Sequence, residues 1–149
     1  MFIQPIFCGY ASVFNHQDIV GDIILPGAFC HSLQKDEKNI KLLWQHNPAL
    51  PLGVINKIYE DTKGLFIEGE MLLDIKYVYE AFLLIQKKAV HGLSVGFEVL
   101  ESFYGKDARY IKKAKLWEVS VVTFPANTQA TITMVGGNGL EPSTSTMST

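Results

Sequence analysis

Apolar and polar positions alternate along most of this chain, which is the period of a β-strand with one buried face. The alternating segments are rich in aromatic and β-branched residues, and they predict strands at 6–14, 22–25, 40–44, 53–59, 65–72, 92–103, 108–123 and 129–135. Residues 61–64 (Asp-Thr-Lys-Gly) predict a hairpin turn in which Gly64 takes a positive φ. The chain is therefore predicted to be mainly antiparallel β.

Two segments instead show the spacing of three and four residues that indicates an amphipathic helix. A short helix is predicted after Pro26 and Gly27, ending near Lys35. A long helix is predicted at 75–89, with Asp74 as its N-cap. The long helix has more apolar surface than one face needs, because it also carries Tyr77, Tyr79, Leu83 and Leu84.

That surplus surface has two interpretations, burial against the rest of the domain or burial against a second copy. We expect part of it to form a homodimer interface.

Many short strands must also close or cover their edges, so the predicted fold is a small closed antiparallel β-barrel with flanking helices. The predicted domain spans residues 1–135, and the Ser/Thr-rich residues 136–149 are predicted to be a disordered tail.

Composition excludes several classes of function. The net charge of −2 and the absence of a dense Lys/Arg stripe argue against nucleic-acid binding. Two cysteines outside any CxxC pattern favour a reducing compartment. No signal peptide is evident, and no apolar run approaches the roughly 20 residues of a spanning helix. The expectation is a soluble intracellular protein with no membrane partner.

Candidate chemistry begins at Ser94, which lies in the segment Gly92-Leu93-Ser94-Val95-Gly96-Phe97. Alternation places Gly92, Ser94 and Gly96 on one face of the strand, so the hydroxyl is flanked by two missing side chains. Such a face allows close approach of a substrate, or of another element of the same chain. The strand alone leaves both interpretations open, with Ser94 as a nucleophile in the first and a small filler in the second.

A serine nucleophile needs a base, and His46 lies where an apolar strand meets a proline-terminated loop. A surface role for His46 is the alternative. Its rivals are His16 and His31, which lie in or near predicted loops, and His91, which is three residues before Ser94 and so points to the opposite face.

Glu118 is the candidate for orienting the base. In Leu116-Trp117-Glu118-Val119-Ser120-Val121-Val122, alternation places Trp117, Val119 and Val121 on one face and Glu118 and Ser120 on the other. A carboxylate buried in an apolar strand needs a partner, and an imidazole N–H would serve. An exposed strand face is the alternative. Ser120 is a second polar group that could take part.

Other chemistries have weaker support. The four histidines show no HxxxH or HExxH spacing, so no metal or cofactor is expected. A cysteine protease built on Cys30 is poorly supported, because the adjacent His31 cannot readily face it in a helix.

Together, five pieces of the sequence resemble the prohead (capsid maturation) protease family of tailed phages and prophages. In chain order these are Gly9–Asn15, Gly21–Phe29, Leu43–Pro48 with Pro51–Gly53, Gly92–Phe97 and Leu116–Asn127. The resemblance implies a fold like that of the herpesvirus assemblins, a small barrel ringed by helices. It also implies a serine protease with His46 as base and Ser94 as nucleophile, and it suits Glu118 as the third member.

The resemblance further implies an endopeptidase that cleaves capsid and scaffold segments, and the protease itself, inside the assembling prohead in the host cytoplasm. The oxyanion would be held by backbone N–H groups and by Arg109, the one arginine of the chain. The alternative function is a catalytically silent capsid-assembly or scaffolding module with the same barrel.

Overall fold

The computed structural model describes residues 4–137. Eight strands and two α-helices follow the predicted order along the chain. They are β1 (Pro5–Val13), β2 (Asp22–Ile24), α1 (Cys30–Asp36), β3 (Lys41–Trp44), β4 (Asn47–Glu60), β5 (Gly64–Met71), α2 (Lys76–Gln86), β6 (Gly92–Tyr104), β7 (Arg109–Val122) and β8 (Ile132–Gly137). One turn of 3₁₀-helix, Glu37–Asn39, links α1 to β3. The mainly β prediction is confirmed.

The long strand β7 organises the part of the sheet that holds the candidate residues. One edge of β7 pairs antiparallel with β6, while its other edge pairs parallel first with β2 and then with β3. The segment around α1 covers the gap between them, where Ala28 O accepts from Ala114 N and Ser32 Oγ accepts from Leu116 N, both at 2.9 Å. A helix between β2 and β3 allows both strands to run in the same direction.

From β3 the sheet continues through antiparallel pairs in the order β3–β4–β5–β1–β8. The start of β6 meets the segment before β8 at a single bridge, Gly92 to Thr131. Beyond that bridge β6 follows β7 and β8 follows β1, so no ladder closes the ring. The prediction of a closed antiparallel barrel is therefore wrong in two respects: the sheet is an open, curled half-barrel, and its strand pairing is mixed.

The core lies inside the curl of the sheet, between the sheet and the helices. Buried side chains of α2 face it at spacings of three and four, namely Val78, Ala81 and Ile85. The largest fully buried side chains come from six of the eight strands, from α2 and from the residue before α1: Phe7, Phe29, Leu42, Leu52, Leu65, Ile67, Met71, Leu93, Ile111, Val78, Val119 and Val121. Leu93, Val119 and Val121 belong to β6 and β7, so the strands that carry the candidate residues are anchored in this core.

Two local predictions are corrected by the structure. Gly64 is a β-strand residue without a positive φ; a Cβ there would lie 2.1 Å from the carbonyl oxygen of Ser12, so the glycine permits close approach of β1 to β5. The turn is instead held by Asp61 Oδ1, which accepts from the backbone N–H groups of Lys63 and Gly64. The N-cap of α2 is Ile75 rather than Asp74, and it has no side-chain cap.

The last strand extends slightly beyond the predicted end of the domain at residue 135. β8 continues to Gly137, two residues past the predicted domain end, because it pairs with β1 as far as Pro5. The rest of the predicted tail, 138–149, lies outside the described residues. Within residues 4–137, no helix has the length and apolar character needed to cross a membrane.

Candidate active site

Ser94 lies near the start of β6, directly opposite Ser120 of β7. Residues paired in this way share a face, so both hydroxyls lie on the same side of the sheet. Ser94 is 7% exposed, while its neighbour Leu93 is fully buried on the opposite face, as the alternation predicts. Within residues 4–137, no hydrogen bond engages the Ser94 hydroxyl. Ser94 is therefore a sheltered serine whose oxygen is not committed to a structural partner.

The bare positions beside Ser94 are filled by the chain itself. A Cβ on Gly96 would lie 2.2 Å from Glu118 Oε2, and a Cβ on Gly92 would lie 2.7 Å from Pro125 Cδ. The glycine face could admit either a substrate or another element of the chain, and at both Gly92 and Gly96 it is another element of the same chain that packs there. Gly96 therefore provides the space in which the Glu118 carboxylate lies, a role that sequence alone did not reveal.

A β-bulge at Trp117 sets which side chains of β7 reach this face. In the β6–β7 ladder Phe97 pairs with Leu116 and Gly96 pairs with Glu118, so Trp117 is an extra residue. Leu116 and Val119 are both buried in the core as a result, and Trp117 is 53% exposed. The prediction that Trp117 shares a face with Val119 and Val121 is thus wrong, whereas Glu118 and Ser120 do share a face as predicted.

His46 occupies a strained two-residue turn between β3 and β4. Gln45 and His46 have φ of 54° and 58°, and Trp44 pairs with Asn47 across the turn. Turns with two positive φ values normally use Asn or Gly, and each other residue costs about 1 kcal/mol or more. Strain of this kind persists only where surrounding contacts impose it.

Four hydrogen bonds to the end of β7 and the following residue impose that conformation. Gln45 N donates to Val121 O at 2.9 Å, and His46 N donates to Ser120 Oγ at 2.9 Å. The Gln45 side chain donates to Thr123 Oγ1 at 2.8 Å and accepts from Thr123 N at 3.2 Å. Gln45 therefore positions His46. The sequence indicates this role only weakly, through a polar residue at the end of a strand.

His46, Glu118 and Ser120 form one hydrogen-bonded network. His46 Nδ1 lies 2.5 Å from Glu118 Oε2, and Ser120 Oγ donates to Glu118 Oε1 at 2.7 Å. The Glu118 side chain is 13% exposed and the His46 side chain 42%. The Glu118 carboxylate thus has the imidazole partner that the sequence predicts for it, and Ser120 is a second partner.

The network fixes both the charge preference and the tautomer of His46. The hydrogen bond to Glu118 raises the pKa of His46 above its ordinary value, partial burial opposes the rise, and attraction to the carboxylate adds to it. With Nδ1 facing Glu118, the ring leaves Nε2 as the nitrogen for proton exchange. Within the described residues no hydrogen bond joins this ring to Ser94, as is common before substrate binds.

The rival residues lie elsewhere. The His16 ring is 3.4 Å from Thr128 Oγ1, His31 is on α1, and His91 lines a cleft with Ile85 and Gln86 of α2.

Arg109 forms a bidentate ion pair with Asp22 at 2.8 and 2.9 Å. Arg109 lies nine residues before Glu118 on β7, which is about 30 Å along the strand. Its predicted oxyanion role is therefore wrong. Among residues 4–137 no cluster of three or more His, Cys, Asp or Glu could hold a metal ion.

A family model described as Caudovirus prohead serine protease matches residues 3–142 of this chain. The chain is 40% identical to the prohead protease of Enterobacteria phage HK97 over 143 residues, which are 93% of this chain and 64% of that protein. It is 29% identical to the prohead protease of Escherichia phage T5, over 85% of this chain and 60% of that protein. The chain thus spans less than two thirds of the length of these relatives.

Two solved structures share the fold. A crystal structure of the KSHV protease in complex with a hexapeptide phosphonate inhibitor has a TM-score of 0.60 and 12% identity, covering 89% of this chain and 65% of that chain. The varicella-zoster virus protease has a TM-score of 0.58 and 14% identity, covering 89% of this chain and 64% of that chain. The assemblin-like fold expected from the sequence is thereby confirmed.

Proposed function

Because this chain belongs to the Caudovirus prohead serine protease family, we propose that it is a serine endopeptidase with Ser94 as nucleophile, His46 as base and Glu118 orienting the base. The observation that carries the proposal is the 2.5 Å contact between His46 Nδ1 and Glu118 Oε2, on the same face as the uncommitted hydroxyl of Ser94. A base held in one tautomer on the same face as a free serine is the arrangement from which acyl transfer can proceed.

The proposed mechanism follows from these positions. His46 Nε2 takes the proton of the Ser94 hydroxyl while the serine oxygen attacks the scissile carbonyl, forming a tetrahedral oxyanion. Glu118 stabilises the imidazolium without taking its proton. The ring then protonates the leaving amine, and water hydrolyses the acyl-enzyme through the same base. Ser120 and Gln45 touch no reacting atom in this scheme; they position Glu118 and His46.

The names of the relatives support a proposal for the substrate class. One relative named capsid polyprotein, from Pseudomonas phage PAJU2, is 33% identical over 64% of this chain. We infer that the substrates are capsid and scaffold segments, together with the protease itself, cleaved within the assembling prohead in the host cell. A protease confined with its substrates at high local concentration needs little affinity for each site.

Covalent labelling tests the nucleophile. We expect a fluorophosphonate probe to form one adduct, on Ser94, in the chain alone or co-expressed with the capsid protein. Trypsin cuts after Lys88, Lys106 and Lys115, so Ser94 and Ser120 fall on separate peptides and mass spectrometry can assign the adduct. An adduct on Ser120 would contradict the assignment. A folded chain that is unlabelled under both conditions would favour the silent assembly module.

We also propose that the protein forms a homodimer through α2. Tyr77 does not contribute to the surplus surface, because its hydroxyl donates to Pro51 O at 2.6 Å and its ring packs on the core. Tyr79, Leu83 and Leu84 are exposed, at spacings of four and five on the helix. Since Val78, Ala81 and Ile85 already bury the core face, these three exposed apolar side chains have no partner within the described residues.

Replacing Leu83 and Leu84 together by glutamate is expected to weaken the dimer at least tenfold, because two charges would be buried in an apolar interface. Light scattering over a concentration series measures the shift. The matched control is Leu100→Glu, which alters an exposed leucine of β6 and should leave the dimer intact. A wild-type chain that stays monomeric at high micromolar concentration would contradict the proposal.

A further inference from the structure

Phe124 is the most exposed large apolar side chain of the described residues, at 87%. It follows the end of β7, in the segment Thr123-Phe124-Pro125. Isolated apolar residues on a surface need no explanation by themselves. The position of Phe124 relative to the candidate active site is what distinguishes it.

The two neighbours of Phe124 are each fixed beside a different catalytic candidate. On one side, Thr123 exchanges two hydrogen bonds with Gln45, the residue before His46. On the other side, the Pro125 ring fills the space of a Cβ on Gly92, which lies two residues before Ser94 on the same face of β6. Phe124 therefore lies on a backbone that is held at one end by the residue before His46 and at the other end by the strand that carries Ser94.

A second apolar element adjoins Phe124. The N–H of Ile19 donates to the carbonyl of Ala126 at 3.0 Å, which joins the loop after β1 to this segment. Ile19 and Val20 in that loop are 69% and 72% exposed. Ile19 and Val20 thus add exposed apolar side chains on a loop that is hydrogen-bonded to the segment of Phe124.

We propose that Phe124 contacts the substrate and selects peptides with a large apolar side chain close to the scissile bond. This inference rests on the proposed protease function. A planar aromatic on a fixed backbone loses little conformational entropy on binding, and its ring offers a large apolar area for a substrate side chain to cover. Polar and small residues at that substrate position would leave the ring in water and gain nothing.

The test compares cleavage of a peptide library by the wild-type chain, Phe124→Ala and Phe124→Leu, with cleavage sites identified by mass spectrometry. Wild type should favour large apolar residues at one or two positions near the cut. Phe124→Ala should lose that preference and about tenfold or more in kcat/KM on the best peptide, while Phe124→Leu should retain most of both. Leu100→Ala is the matched control, since Leu100 is an exposed apolar residue of β6 that lies in a separate cleft with His31 and Lys35 of α1.

Fluorophosphonate labelling of Ser94 separates failure of this inference from failure of the proposed function. Phe124→Ala should be labelled at a rate close to that of wild type, because the small probe does not need the substrate side chain. An unchanged cleavage preference in a labelled Phe124→Ala would overturn the inference and leave the protease assignment standing. A labelled wild type with no preference for large apolar residues would overturn it as well. A wild type that is neither labelled nor able to cleave would overturn both.

Discussion

Replacement of Ser94 by alanine is expected to abolish proteolysis, with a loss of kcat/KM of about 10⁶-fold. The hydroxyl is the proposed nucleophile, and without it His46 has no proton to remove and no acyl-enzyme can form. Processing of the co-expressed capsid protein, followed on gels, and hydrolysis of a peptide substrate both measure the effect. Processing at the wild-type rate by Ser94→Ala would show that the nucleophile is another group.

Ser120 provides the matched control for that substitution. It lies directly opposite Ser94 on the neighbouring strand and is fully buried, and its hydroxyl is already bonded to Glu118 and to the N–H of His46. Ser120→Ala should lower kcat/KM by about 10- to 100-fold, the cost of one or two buried hydrogen bonds. The adduct on Ser94 should persist in Ser120→Ala. If Ser120→Ala were as inactive as Ser94→Ala and also lost the adduct, the roles of the two serines would need to be reassigned.

Much of the strand order could be predicted from the sequence, because alternation and turn residues are local signals. The closure of the sheet could not. Whether β6 pairs with β8 depends on where two strands that are distant in the sequence diverge after Gly92 and Thr131. No local sequence pattern near either strand indicates that point of divergence. The parallel pairing of β2 and β3 with β7 could not be predicted either, because it depends on α1 bridging the gap between β2 and β3.

The residues of the candidate site could be named from the sequence, but their assembly could not. Alternation placed Glu118 and Ser120 on one face correctly, yet it missed the bulge at Trp117 that returns Leu116 to the core. Alternation predicts a bare position at Gly96, but the sequence does not show that this space admits the Glu118 carboxylate. The turn at Gln45 and His46 has positive φ values that non-glycine residues rarely adopt, so local propensity argues against it.

Glu118→Gln is expected to lower kcat/KM by about 10³- to 10⁴-fold while preserving the fold. The amide has nearly the shape of the carboxylate, but it lacks the charge that holds the proton on Nδ1 and stabilises the imidazolium. Because His46 must be neutral to act as base, the acidic limb of the kcat/KM profile follows its pKa, which Glu118 raises. The residual activity of Glu118→Gln should therefore have its acidic limb at lower pH than wild type.

The same pKa gives a prediction for stability that does not depend on activity. A raised pKa in the folded state means that protonated His46 stabilises the fold below its ordinary pKa of 6.5, and that this contribution is lost as pH rises through the raised value. Glu118→Gln should flatten that dependence in urea unfolding measured across this range. An unchanged activity limb and an unchanged stability profile would together contradict the role of Glu118.

Gly96 makes it possible to separate the position of the carboxylate from its charge. A Cβ at Gly96 would lie 2.2 Å from Glu118 Oε2 and 2.9 Å from its carboxyl carbon, so Gly96→Ala must push the group away from its place against His46. If Gly96→Ala acts through that displacement, it should lower activity on its own and have little further effect when added to Glu118→Gln. Multiplicative losses in the double variant would instead mean that the methyl group damages the site independently of Glu118. Non-additivity would tie Gly96 to the carboxylate that we propose orients the base.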